Sequence, residues 1–295
     1  MFVREEDITH ALQLYGIPCE WMEYIPIGVM TDKYALGCGG KKYIARCYPE
    51  ERGYLAEAEY KYMQEFGERG ILCPKPVTII DVGQYPCLIY ERLEGLMLSD
   101  VYDGKSEVEK DKICREIASN YKRISEIACS RFGRMLGYEK FAHGSMSDMI
   151  GDVVCKAEGW IMQYGSMNPQ AKNVLDRFEE RAKSFRDMQP VLVWSDLGMD
   201  NIIVDEKGRL VGFVDFEGLM GADVNLGLGF LQAHENNSDL IVRLMKMMPE
   251  LEKWKVDFYA MMRYLRILPY THLPLPNGTK RDNLNKYLPY VRRNL

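Results

Sequence analysis

The chain has 295 residues, of which 47% are hydrophobic and 27% charged, so it is long enough to bury the core of one large domain or two smaller ones. Its formal net charge of -5 argues against a nucleic-acid-binding protein, because polyanion binders carry a basic surface. No apolar run approaches the roughly 18 residues that a membrane span needs, and the acidic start lacks the pattern of a signal peptide. We therefore expect a cytoplasmic protein with neither a nucleic-acid nor a membrane partner.

The eight cysteines all lie in the first 155 residues, and no two of them form a Cys-x-x-Cys pair. This spacing argues against a zinc site, and a chain of this size without a signal peptide rarely carries a disulfide framework. We therefore expect the cysteines to be free thiols, most of them packed as small hydrophobic side chains.

The first third of the chain carries the apolar runs and turn signals that are typical of strands. Strands are predicted at residues 21–27, 33–36, 42–48, 77–82 and 87–91, with a helix at residues 49–69. The first three strands form an antiparallel meander, in which Gly39 and Gly40 make a tight turn. The last two form a hairpin that completes the sheet.

After residue 95 the spacing of apolar residues becomes helical. Helices are predicted at residues 108–129, 148–164, 169–185 and 226–268 and again near the C-terminus, and short strands at residues 191–193, 201–204 and 210–214. We therefore predict an α+β fold with a small antiparallel-sheet N-lobe at residues 1–94 and a larger, mainly helical C-lobe at residues 95–295. Ligand sites favour the cleft between two such lobes.

Three oxygen-bearing side chains surround the predicted hairpin of residues 201–214. Asp196 lies in the loop after a strand, Asn201 opens the hairpin and Asp215 follows it, so the hairpin brings all three to one end of a short ladder. Phosphoryl transfer needs a carboxylate that orients the attacking hydroxyl, and oxygen ligands that hold Mg²⁺ on the nucleotide phosphates. These three residues supply such groups in that order. The alternative is that the two aspartates are turn or cap residues.

This segment resembles the aminoglycoside phosphotransferase and choline kinase family, which are small-molecule kinases with a protein-kinase-like bilobal fold. The similarity is strongest over residues 191–223 and extends more loosely over residues 25–230. It implies a magnesium-dependent phosphotransferase that uses ATP or GTP and acts on a hydroxyl of a small molecule. It also implies that Asp196 is the catalytic base and that Asn201 and Asp215 are the magnesium ligands.

The resemblance extends to a phosphate-binding cation in the N-lobe. Arg46 stands on the third predicted strand, where a kinase usually has the lysine that contacts the α- and β-phosphates. Arginine binds phosphate as a planar fork rather than as a point charge. Its expected partner is an acid on the following helix, Glu59, with Glu57 as the alternative.

Two other nucleotide contacts are expected from position alone. Gly28, between the first two strands, would let the backbone close over the phosphates. Glu91 and Leu93 follow the fifth strand at the hinge between the lobes, where their backbone groups would pair with the edge of adenine.

Two positions depart from the family pattern. Trp194 replaces a histidine two residues before the catalytic aspartate, and Gly227 replaces an aspartate that braces the catalytic loop. We expect a coupled repacking in which the Trp194 ring fills the space of the missing histidine–aspartate pair. These departures also keep open a second function, a pseudokinase or nucleotide-sensing interaction module without turnover.

The sequence indicates the acceptor less clearly than it indicates the reaction. Acids on the helices after residue 226, among them Asp239, Glu252 and Asp257, would suit a cationic acceptor, although acids at this density also form solvated helix faces. An antibiotic such as an aminoglycoside and a metabolite such as choline, methylthioribose or homoserine are both open as acceptors.

Overall fold

The computed structural model describes residues 3–26, 30–164, 170–185, 188–234 and 238–268. Its helices are α1 (Glu5–Leu14), α2 (Tyr54–Glu68), α3 (Leu98–Val101), α4 (Glu107–Ser125), α5 (Met146–Tyr164), α6 (Gln170–Ala182), α7 (Leu226–His234), α8 (Ser238–Met247) and α9 (Lys253–Ile267). Its strands are β1 (Trp21–Ile25), β2 (Asp32–Cys38), β3 (Lys41–Cys47), β4 (Pro76–Val82), β5 (Tyr85–Glu91), β6 (Leu96–Met97), β7 (Phe132–Gly137), β8 (Lys140–His143), β9 (Val191–Trp194), β10 (Ile202–Val204), β11 (Leu210–Phe213) and β12 (Leu219–Ala222). The predicted α+β, two-lobed fold is confirmed.

The N-lobe sheet is antiparallel, with the strand order β1-β2-β3-β5-β4. Successive side chains of a strand point to opposite faces. Ala35 and Ile44 therefore pack in the core that contains α2, whereas Tyr34 and Ala45 pack in the core that contains α1. Arg46 follows Ala45 and so lies on the α2 face, which is the face turned toward the C-lobe.

Helix α1 was not predicted. Its first turn is acidic, which suits the positive end of a helix dipole, and Ile8, Ala11 and Leu12 recur at helical spacing and are buried. The acidic residues near the start of the sequence therefore form the first turn of a helix that covers the outer face of the sheet.

Helix α2 starts later than its predicted bound. A short 3-10 turn at Glu50–Arg52 precedes it, and the α-helix runs from Tyr54 to Glu68. Leu55, Tyr62 and Phe66 lie on its buried face, as the helical spacing requires.

The C-lobe contains two small sheets, and the sequence predicted only some of their strands. One has the order β11-β10-β6 and contains the predicted hairpin. The other has the order β8-β7-β12-β9, and three of its strands, β7, β8 and β12, were missed because they are short. Strand β6 follows Gly95 directly and pairs with β10, so the chain joins the C-lobe there. The lobe boundary between residues 94 and 95 stays a prediction.

The predicted helical segment at residues 226–268 is divided into α7, α8 and α9. Pro249 lies between α8 and α9, where its ring and missing N–H prevent a continuous helix. The helix predicted near the C-terminus falls at residues 269–295, outside the described part of the chain. Over the described ranges, no helix combines the length and the apolar character that crossing a membrane requires.

One hydrophobic core runs from the N-lobe into the C-lobe. It includes Phe66 of α2, Trp194 of β9, Phe213 of β11 and Phe216, which follows β11. The Phe66 and Phe216 rings pack edge to face with centroids 5.1 Å apart, and the Trp194 ring lies 5.8 Å from that of Phe216. This core fixes the position of α2 relative to the loops that follow β9 and β11.

Candidate active site

The loops that carry Asp196, Asn201 and Asp215 are joined by hydrogen bonds. Nδ2 of Asn201 donates to the Asp196 carbonyl over 3.0 Å, and the N–H of Val214 donates to the Asn201 carbonyl over 3.0 Å. Ser195 donates to the Gly218 carbonyl from its N–H over 3.0 Å and from its hydroxyl over 2.6 Å. The structure therefore brings the three predicted residues together at one end of the hairpin.

Asp196 presents its carboxylate at the surface of the cleft. Its side chain is 46% exposed, and Oδ1 lies 3.7 Å from Nη2 of Arg263 on α9. The Arg263 guanidinium also stacks on the Phe230 ring, 5.1 Å from its centroid. A positive charge therefore stands beside the predicted base, which sequence reasoning did not anticipate.

Asp196 packs directly against Gly218, where a side chain would collide with it. A β-carbon added at Gly218 would lie 2.8 Å from the Asp196 Cβ and 3.3 Å from its backbone nitrogen. We expect Gly218→Ala to displace Asp196 and to lower kcat by about 10- to 100-fold, because a catalytic group misplaced by about 1 Å costs that much. Gly67→Ala on α2 is the matched control, since its β-carbon meets nothing within 4 Å. Equal kcat values for the two variants would contradict this role of Gly218.

Asp215 is held in a left-handed backbone conformation, with φ 69° and ψ 66°. This conformation is uncommon for a residue other than glycine and persists where neighbours hold it. Nη2 of Arg46 donates to Oδ1 over 2.8 Å, Nζ of Lys33 donates to Oδ2 over 3.2 Å, and the indole N–H of Trp194 donates to the Asp215 carbonyl over 3.2 Å. Burial opposes ionisation of this carboxyl, but the charges of Arg46 and Lys33 outweigh it and hold its pKa well below its usual range. Asp215 is therefore an ionised carboxylate.

Arg46 lies at the centre of a buried ionic cluster. Its side chain is 1% exposed, and Nη1 donates to Glu59 over 3.1 Å. The Tyr48 hydroxyl donates to the other carboxylate oxygen of Glu59 over 2.9 Å. Glu57, the alternative partner, is exposed and pairs with Lys61 instead. The structure therefore pairs Arg46 with Glu59.

The titration of Glu59 makes the stability of the nucleotide-free protein depend on pH. Burial raises the pKa of Glu59 to about 7, against the opposing effects of Arg46 and Tyr48. The folded state thus binds a proton that the unfolded state has released, and the contribution of Glu59 to stability falls as the pH rises from 4.5 toward 7. We expect Glu59→Gln to remove this fall, which amounts to about 1.4 kcal/mol per unit of pKa difference. Urea unfolding across this range, with Glu57→Gln as the control, tests it; parallel profiles for wild type and Glu59→Gln would contradict it.

At the predicted hinge, one of the two backbone groups of Glu91 already makes a hydrogen bond within the protein. Its N–H donates to the Lys75 carbonyl over 2.9 Å, and the N–H of Arg92 donates to the Lys42 carbonyl over 2.9 Å. Leu93, by contrast, makes no backbone hydrogen bond within the part of the chain that the structure describes. Its N–H and carbonyl are therefore available to a planar base. Gly28, the predicted phosphate-loop glycine, lies outside the described residues.

The oxygen donors of Asp215 and Asn201 fit a magnesium ion that also contacts phosphate. Because Nδ2 of Asn201 is a donor to Asp196, its Oδ1 is the atom that can face a cation. Within the described ranges, no group of three His, Cys, Asp or Glu side chains is placed to hold a metal by itself. One carboxylate and one amide oxygen are a typical protein share of a magnesium site that is completed by substrate phosphates and water.

The two departures from the family pattern are accommodated by different residues. The Trp194 ring is fully buried, and its centroid lies 4.9 Å from that of Phe213. The space beside Gly227, however, is filled by Tyr121 of α4, whose hydroxyl donates to the Val224 carbonyl over 2.7 Å and accepts from the Gly227 N–H over 3.2 Å. The Trp194 ring therefore packs against Phe213, and Tyr121, which the sequence analysis did not consider, fills the space beside Gly227.

Restoring an aspartate at position 227 would collide with Tyr121. A β-carbon added at Gly227 would lie 2.3 Å from the Tyr121 hydroxyl oxygen. We expect Gly227→Asp to lower the free energy of unfolding by more than about 3 kcal/mol, since overpacking and a buried unpaired carboxylate are both costly. In a protein that also carries Tyr121→Ala, Gly227→Asp should lower the free energy of unfolding by less, because the clashing ring is gone. The control is Gly151→Asp, which lies at an exposed helix position with open space around it. Additive effects of the two substitutions would contradict this account.

Several residues of the site were not predicted from the sequence, and one of them, Lys33, could have been predicted. The register of β2 and β3 pairs Lys33 with Arg46 across the predicted turn at Gly39 and Gly40, so counting back from that turn would have placed Lys33 beside Arg46. Glu217 and Arg263 reach the site through contacts that are distant in sequence, and no local pattern indicates them.

Comparisons with known proteins identify the family of the chain. The model of the phosphotransferase enzyme family matches residues 21–243. Among solved structures, a thermostable mutant of aminoglycoside phosphotransferase APH(4)-Ia with ADP and hygromycin B has a TM-score of 0.76 at 16% identity, over 97% of this chain and 95% of that chain. ADP-bound APH(2'')-Ib has a TM-score of 0.69 at 15% identity, over 98% and 97% of the two chains. The GDP and kanamycin complex of APH(2'')-IIIa has a TM-score of 0.69 at 13% identity, over 97% of each chain. A search of curated protein sequences finds no match. Because the family model covers most of the chain, including the loops of Asp196 and Asp215, the chain belongs to the phosphotransferase enzyme family and is a phosphotransferase.

Proposed function

We propose that the protein transfers the γ-phosphoryl group of ATP or GTP to a hydroxyl of a small molecule in a magnesium-dependent reaction. The observation that carries this proposal is that hydrogen bonds join the loops of Asp196, Asn201 and Asp215, which carry one exposed carboxylate and two further side chains with hard oxygen ligands. Phosphoryl transfer is catalysed mainly by positioning and electrostatic stabilisation, and this arrangement supplies both.

In this reaction Asp196 orients the acceptor hydroxyl and accepts its proton. The exposed carboxylate is reachable, and the Ser195 and Asn201 bonds fix the loop that carries it. Asp215 and Oδ1 of Asn201 would hold Mg²⁺, which when bound neutralises charge on the nucleotide phosphates. The backbone carbonyl of Glu91 and both backbone groups of Leu93 would pair with the base.

The described residues favour an acceptor that is not cationic at its reacting end. Arg263 places a positive charge 3.7 Å from Asp196, where it would repel an amine. The acids that suggested a cationic acceptor form ion pairs: Asp239 with Arg243, Glu252 with Lys255 and Asp257 with Lys253. Their charges are therefore largely compensated. An antibiotic and a metabolite are both compatible with this site where no amine lies beside the reacting hydroxyl.

The nucleotide-sensing alternative is less favoured by the packing. Trp194 and Tyr121 fill their sites without separating Asp196, Asn201 and Asp215, so the residues that would perform the chemistry keep their arrangement.

An acceptor screen tests the proposal. Purified protein is incubated with Mg²⁺ and ATP or GTP, and nucleoside diphosphate release is measured with hydroxyl compounds that carry an amine, no charge or a carboxylate. We expect release that depends on both Mg²⁺ and one acceptor class, with neutral or anionic compounds preferred. Nucleotide binding without release on any acceptor would favour the sensing module, and a preference for amines would contradict the acceptor assignment.

A further inference from the structure

Two cations of the N-lobe, Lys33 and Arg46, contact the carboxylate of Asp215. They are register partners on β2 and β3 and share the face that carries Ala35 and Ile44. Arg46 donates to Oδ1 and Lys33 to Oδ2. Either cation is therefore close enough to the proposed magnesium site to meet the phosphates of a nucleotide.

Arg46 is already committed to the protein. Nε donates to Thr31 over 3.2 Å, Nη1 to Glu59 over 3.1 Å, and Nη2 to both Asp215 and Glu217 over 2.8 Å. Four of the five N–H donors of its guanidinium are thus in use, and the side chain is 1% exposed. Contact with a phosphate would break charge-assisted hydrogen bonds inside a buried cluster, where a carboxylate left without its partner is costly.

Lys33 has the opposite character. Its side chain is 17% exposed. Among the described residues, Nζ donates a hydrogen bond to the Asp215 carboxylate alone. An ammonium group has three donors, so two remain for a ligand. Its compact charge on a flexible stem suits phosphate oxygens. If Lys33 turned onto a phosphate, Oδ2 of Asp215 would become free, whereas Oδ1 would stay bonded to Arg46.

We propose that Lys33 is the phosphate-binding cation of the nucleotide site and that Arg46 is a positioning residue that holds Glu59, Asp215 and Glu217 in place. This inference rests on the proposed function, because it assumes that the cleft binds a nucleoside triphosphate. The sequence suggested that Arg46 both binds phosphate and pairs with Glu59. Here Lys33 binds phosphate and Arg46 keeps only the pairing role.

Calorimetric titrations with nucleotide and with nucleoside separate the two roles. The variants are Lys33→Met, Lys33→Arg, Arg46→Lys and, as a control on α2, Lys61→Met, whose wild-type side chain is exposed and pairs with Glu57. Each is titrated with the nucleoside triphosphate that the wild type binds, with its diphosphate and with the matching nucleoside, in the presence of Mg²⁺. Thermal unfolding of each variant is measured in parallel.

We expect Lys33→Met to weaken triphosphate and diphosphate binding by about 10- to 100-fold, the equivalent of one or two charge-assisted hydrogen bonds, with nucleoside binding and unfolding temperature unchanged. Lys33→Arg should restore part of the loss. Arg46→Lys should lower the unfolding temperature and change the ratio of triphosphate to nucleoside affinity by less than Lys33→Met does. Triphosphate binding by Lys33→Met within twofold of the Lys61→Met control would overturn this inference alone. A wild type that binds neither ATP nor GTP would overturn the proposed function and this inference with it.

Discussion

Asp196→Asn is expected to lower kcat by about 10²- to 10⁴-fold, the contribution that a positioned general base makes. Asparagine preserves the size of the side chain but cannot accept the hydroxyl proton. The backbone carbonyl of Asp196, which Asn201 contacts, is unchanged by the substitution, so the loop should keep its shape.

Nucleotide affinity should change little in this variant, because the Asp196 carboxylate lies near Arg263 and is not part of the ionic cluster around Asp215. Steady-state turnover and nucleotide titration on the same preparation test both parts. Asp200→Asn, at an exposed neighbouring position of the loop, is the matched control. An Asp196→Asn variant that turns over within about threefold of this control would remove Asp196 from the mechanism.

Trp194→Ala is expected to lower the free energy of unfolding by about 3–5 kcal/mol, the usual cost of truncating a buried tryptophan. The ring is fully buried between the Phe213 and Phe216 rings, and its N–H holds the carbonyl of Asp215. A loss of this size is a large fraction of the stability of an ordinary domain, which is about 5–15 kcal/mol.

Urea unfolding of Trp194→Ala beside Trp254→Ala measures this effect. Trp254 is 36% exposed, so its truncation leaves a smaller cavity and should cost less. Trp194→Phe should recover most of the packing but not the hydrogen bond to Asp215. A loss in Trp194→Ala no larger than that in Trp254→Ala would contradict the supporting role given to this ring.

The parts of the site that could be predicted from the sequence are local in the chain. Asp196, Asn201 and Asp215 fall within one strand–hairpin segment, and the hairpin itself brings them together. Arg46 was paired with an acid of the following helix because of the family resemblance. Glu59 was preferred to Glu57 because helical spacing then puts Met63 and Phe66 on the core face. Helical spacing likewise predicted α2, α4 and α5, whose buried residues recur every three or four positions.

The remaining features depend on contacts between distant segments. Tyr121 reaches Gly227 across more than a hundred residues, and Arg263 approaches Asp196 from the last described helix. Strands β7, β8 and β12 gain stability from pairing with one another and with β9, not from their own short sequences. Tertiary packing therefore decided what local propensity did not indicate.

The central claim is that the cleft transfers a phosphoryl group to an acceptor hydroxyl. Phosphorus NMR of wild-type protein with Mg²⁺, the preferred nucleotide and the best acceptor of the screen follows both products at once. We expect nucleoside diphosphate and a phosphomonoester of the acceptor to form in equal amounts, and neither to form at a comparable rate with Asp196→Asn. Nucleoside diphosphate with inorganic phosphate as the only other product, or no turnover with any acceptor despite tight nucleotide binding, would contradict it.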